Sequence, residues 1–122
     1  MDVFITGREY GELNMTVRIA PLDYRSTQAN LDSQTVAINN FLADKTVTKL
    51  AVCDEFIMAH YTNAPLVGLP IKVKIFGLVD AIQANGIVAT ETAINNFINS
   101  NVTSQPQDVI SLDSGVIVLV YR

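Results

Sequence analysis

The sequence predicts an α+β fold assembled from two copies of one unit, and three observations predict it. The block Ala37-Ile38-Asn39-Asn40-Phe41 returns letter for letter as Ala93-Ile94-Asn95-Asn96-Phe97, an offset of 56 residues. At the same offset, Met15-Thr16-Val17-Arg18-Ile19 lies over Ile71-Lys72-Val73-Lys74-Ile75, so residues 15–45 and 71–101 share 8 of 31 positions without a gap. Unrelated sequences of that length share roughly 2. The third observation is that period-two and helical patterns alternate along the chain in the same way on both sides of the offset.

The first element expected is a strand at residues 3–6, which the offset places over the strand ending at Thr62. The next pair, at 15–19 and 71–75, alternates apolar Met15, Val17, Ile19 and Ile71, Val73, Ile75 with polar neighbours. That pattern predicts strands with one buried and one wet face. Arg18 and Lys74 take the same place in each and read as outward-facing cations.

The repeated block belongs to a helix in each copy. Leu31, Thr35, Ile38 and Leu42 fall at steps of four, three and four, and Ile87, Glu91, Ile94 and Ile98 repeat the steps. Phe41 and Phe97 widen each stripe into an apolar face that packs on a sheet. Ser33 and Thr90 are the expected N-caps. After each helix a hairpin is expected: 48–53 turning at Asp54-Glu55 into 56–61, and 108–112 turning at Asp113-Ser114-Gly115 into 116–121. Asp-Ser-Gly suits a tight turn, because Gly accepts positive φ and Asp bonds back to the backbone. Residues 62–70 contain Pro65 and Pro70 and form a linker. In residues 78–86, Asn85-Gly86 fits either a hairpin turn or a helix end.

The unit is therefore strand, strand, helix, strand, used twice, with repeats at about 1–56 and 57–122 in a single domain of 122 residues. A mostly antiparallel sheet with both helices on one face follows, with a ferredoxin-like or split-βαβ sandwich as the nearest architectural template.

Charged residues are only 16% of the chain, and the net charge is −4. Asn, Thr, Ser and Gln take their place, and a polar, weakly charged surface suits contact with neighbours because amides cost less to bury than ions. The eight Lys and Arg are scattered, so no nucleic acid is expected as partner. No stretch reaches the roughly 20 apolar residues of a membrane span, and the start of the chain lacks a signal-peptide pattern. Cytoplasmic synthesis without membrane association is expected.

Chemistry-bearing residues are few. His60 is the single histidine and Cys53 the single cysteine. They and Asp54 would act catalytically only if gathered together, for example across a subunit contact. No Gly-Lys-Ser, Gly-x-Ser-x-Gly or Cys-x-x-Cys element occurs. No catalytic residue, metal ligand or cofactor is expected.

Two features point to binding instead. Asn is a poor helix former, yet Asn39, Asn40, Asn95 and Asn96 sit in paired positions, where they could line a groove between the repeats. The last strand, 116–121, is apolar on both faces, which marks Val116, Val118, Val120 and Tyr121 as candidates for subunit contact. The function expected first is a non-enzymatic structural or assembly protein, a homo-oligomeric building block such as a small phage or virion component. The alternative is a small module that binds a polar ligand or peptide in the groove.

Overall fold

The computed structural model of the chain describes residues 15–77, 84–103 and 107–122. It is an α+β fold with the order β1 (Thr16–Pro21), α1 (Gln28–Leu42), β2 (Thr46–Val52), β3 (Phe56–Thr62), β4 (Lys72–Phe76), α2 (Ala84–Asn101), β5 (Asp108–Ser111) and β6 (Ile117–Tyr121). The strands form two three-stranded antiparallel sheets, ordered β1-β3-β2 and β4-β6-β5. Each half thus runs strand, helix, strand, strand, with the last strand in the middle of its sheet. The strand expected at residues 3–6 lies outside the described residues.

The two sheets also share a register. Thr16, Arg18 and Ala20 of β1 pair with Tyr61, Ala59 and Ile57; Lys72, Lys74 and Phe76 of β4 pair with Tyr121, Leu119 and Ile117. An offset of 56 carries β1 onto β4, and an offset of 60 carries β3 onto β6. The expected hairpins are both present. Gly115 takes φ 96° in the second turn, where Leu112 donates its N–H to Val116 and Gly115 to Leu112. At the first turn Cys53 donates to Phe56, and Leu22 donates to Glu55 from beyond β1.

The helix starts differ from those expected. Thr27 caps α1, accepting from the Asn30 N–H at 3.3 Å. Ser33 and Thr90 lie inside the helices and donate to the carbonyls of Ala29 and Gly86, four residues back. A hydroxyl can satisfy itself on the preceding turn as well as at a cap, so its presence near an apolar stripe does not locate the helix start. Asn85-Gly86 falls within the first turn of α2.

The expected single sheet with both helices on one face is replaced by two sheets and two cores. The main core joins Ala20, Ile57 and Ala59 of the first sheet, Leu31, Ile38 and Leu42 of α1, and Val73, Ile75, Val118 and Val120 of the second sheet. The second core sets Phe76, Leu119 and Tyr121 against Ile94, Phe97 and Ile98 of α2. Successive residues of a strand point to opposite faces, so β6 sends Val118 and Val120 one way and Leu119 and Tyr121 the other. Its continuous apolar sequence is the signature of a strand covered on both faces, and the chain covers both itself. Val116, Val118, Val120 and Tyr121, singled out above for subunit contact, are all buried within the chain. Counting helices as the only available cover misled that expectation, because the first sheet and α1 together cover one face and α2 the other.

Candidate functional site

The Asn-bearing face of α1 performs an identifiable task. β4 is an edge strand among the described residues, and its outer backbone groups need partners. Asn39 supplies them at Val73: its Nδ2 donates to the Val73 carbonyl at 2.9 Å, and its Oδ1 accepts the Val73 N–H at 2.9 Å. About three turns further toward the helix start, Gln28 makes a similar pair of bonds. Its Nε2 donates to the Ile75 carbonyl and its Oε1 accepts from Gly77 N–H, both at 2.9 Å. Two amides thus bind both backbone groups of Val73, the Ile75 carbonyl and the Gly77 N–H along one strand edge, and the helix lies along β4 in place of a further strand.

A charge pair closes the same seam. Lys74 Nζ lies 2.7 Å from Asp32 Oδ1, which also accepts from Gln28 Nε2 at 2.9 Å. Burial pushes the Asp32 carboxyl upward, but the hydrogen bonds from Lys74 and Gln28 and the Lys74 charge outweigh it, so its pKa falls below the ordinary value. Sequence reading missed Gln28 and Asp32. Their signal was present: Gln28, Asp32 and Asn39 fall at helical spacing, a polar row beside the apolar one.

Arg18 is exposed as expected, while Lys74 is half-buried, and each lies over an aromatic ring. The Arg18 guanidinium lies 4.8 Å from the Phe41 ring centre, and Lys74 Nζ lies 5.7 Å from that of Phe97. Phe41 in turn meets Tyr61 edge-on at 5.2 Å, and Phe97 meets Tyr121 at the same separation. Each helix is therefore seated on its sheet through a matched cation, Phe and Tyr.

The other Asn residues part company. Asn40, Asn95 and Asn96 are all exposed. Asn96 lines a cavity of about 450 Å³ between α2 and the β4–α1 seam, together with Gln28, Lys74, Phe76, Ala93 and Phe97. The four amides do not converge on one groove.

His60 and Asp54 are not brought together within the chain. His60 sits mid-strand in β3, opposite Val17 and Lys49, while Cys53 and Asp54 are at the β2–β3 turn. The four residues from Phe56 to His60 span roughly 13 Å of extended strand. Among the described residues, no three His, Cys, Asp or Glu side chains cluster as a metal site would require.

The exposed apolar surface is more informative. Met15, Val17 and Ile19, the residues expected to form the buried face of the first strand, are 59%, 46% and 58% exposed, and Ile87 and Val88 on α2 are each 57% exposed. The counterparts of Val17, Ile19 and Ile87 at the 56-residue offset, Val73, Ile75 and Leu31, are wholly buried. Among the described residues, no helix is long and apolar enough to cross a membrane. Compared with known protein families, curated proteins and solved structures, the chain matches none.

Proposed function

We propose that this chain is a non-enzymatic assembly subunit that packs against copies of itself, a building block of the kind used in small phage or virion particles. The observation that carries the reading is the exposed apolar row Met15, Val17 and Ile19 on β1, an edge strand among the described residues. Edge strands are ordinarily protected by charge, proline or a covering element, since they template pairing with other chains. A row of three large apolar residues there is the opposite choice, and it is the choice of a surface meant to be covered. The two halves, alike in element order and strand register, read as products of an internal duplication. Light scattering coupled to size exclusion, over a tenfold range of concentration, tests the reading. A defined oligomer is expected; a monomer at every concentration overturns it.

A second reading has its own observation, the cavity lined by Asn96, Lys74 and Phe97. Its size lies in the range of small-molecule sites, and its apolar walls carry a few polar groups. In this reading the chain binds a small polar ligand or a peptide side chain. A ligand panel scored by thermal shift tests it, with Asn96→Ala abolishing the shift; a panel without any shift overturns it.

A further inference from the structure

We propose that β1 of one copy docks into a groove on α2 of the next, repeating between chains the α1–β4 seam that each chain already contains. The proposal rests on the assembly reading and adds to it the two surfaces and their pairing.

The seam within the chain is the template. The α1 face carrying Leu31, Ile38 and Asn39 receives the edge of β4 at Val73 and Ile75, and Asn39 binds both backbone groups of Val73. An offset of 56 residues carries Leu31, Ile38 and Asn39 to Ile87, Ile94 and Asn95 on α2, and carries Val73 and Ile75 to Val17 and Ile19 on β1. Both halves of a second seam are therefore present in every molecule, and in the single chain they do not meet: Val17, Ile19, Ile87 and Asn95 are all exposed.

The receiving side is already shaped. A groove of about 230 Å³ is lined by Ile87, Thr90, Glu91, Ile94, Asn95 and Ile117. Ile117 is the counterpart of Ile57 at the offset of 60, and Ile57 lies in the core that β4 closes. The groove on α2 thus occupies the place that, on α1, a strand edge fills. β1 supplies a matching edge, with an apolar residue at each position where β4 has one. The charges agree in sign. Arg18 stands where Lys74 does, and Glu91, exposed on the same face of α2 one turn beyond the counterpart of Asp32, offers it a carboxylate.

The docked surfaces differ, so the contact is heterologous. Each copy offers an edge at one end and a groove at the other, and copies add head to tail into a ring or a filament.

Single-surface variants of the full chain test this by light scattering with size exclusion. Val17→Lys disables the edge and Ile87→Asp the groove; both positions are exposed in the single chain, so the far-UV circular dichroism and cooperative unfolding should be retained. Each variant alone is expected to run as a monomer where the wild type is an oligomer. Mixed in equal amounts, they should form a dimer and nothing larger, because one intact edge meets one intact groove. A wild-type monomer at all concentrations overturns the seam and the assembly reading together. A wild-type oligomer that both variants leave unchanged, or a mixture that stays monomeric, overturns the seam and leaves the assembly reading standing. If either variant unfolds, Asn95→Ala and Ile19→Lys replace the pair under the same criteria.

Discussion

Removing the Asn39 side chain should separate its structural role from the helix that carries it. In Asn39→Ala the Val73 N–H and C=O both lose their partner, in a seam that is only part-buried. A buried backbone group left without a partner costs about 1–3 kcal/mol, and the partial burial favours the low end for each of the two. Ala returns about 0.6 kcal/mol through its better helix propensity. The expected loss is about 1.5 kcal/mol, a sizeable part of the stability of a domain this size. Asn40→Ala is the control: its side chain is exposed one residue along the same helix, so only the propensity gain of about 0.6 kcal/mol should appear. Urea unfolding at one fixed protein concentration reads both variants, with the denaturant slope unchanged if the unfolded state is unaffected. A thermal scan should place Asn39→Ala roughly 6 °C below the wild type. An Asn39→Ala variant within about 0.5 kcal/mol of wild type would refute the edge-capping argument, because Val73 would then have found another partner at no cost.

Val118→Asp places a carboxylate at a wholly buried position of the main core, and an unpaired charge there should cost more than about 4 kcal/mol. The expected outcome is insoluble protein or loss of cooperative unfolding; a folded, soluble variant altered only in oligomeric state would mean that this face of β6 is open to a partner. For Asp32 the folded pKa is lowered, so its contribution to stability is present above the ordinary carboxylate value and fades as pH falls through the lowered one. Because the Asp32 side chain is 47% exposed, the advantage of wild type over Asp32→Asn at neutral pH should be under about 1 kcal/mol. It should close below about pH 3.8 in parallel urea titrations; a gap that widens on acidification contradicts the pair. Asn96→Ala should leave unfolding within about 0.5 kcal/mol of wild type, as exposed substitutions do, so any ligand-dependent thermal shift it loses reports on the cavity rather than on folding.

Local pattern determined a good deal of this protein. Leu31, Thr35, Ile38 and Leu42 were legible as one buried helix face, because a 3.6-residue period constrains which side chains can share a face. Asp113-Ser114-Gly115 was legible as a hairpin turn, because positive φ at Gly115 is a local requirement. The Asn-bearing block marked a helix in each half, and the hairpin expected after each helix is present. Tertiary structure decided the rest. Val17 and Val73 sit in segments of the same alternating pattern, yet one is exposed and the other wholly buried; Asn39 and Asn95 stand in identical five-residue blocks, yet among the described residues only the first holds a strand edge. Burial depends on what lies across the seam, and among the described residues a strand edge meets this face of α1 but none meets the matching face of α2. Residue pattern is blind to that difference, because pattern records what a segment prefers, not whether its partner is there.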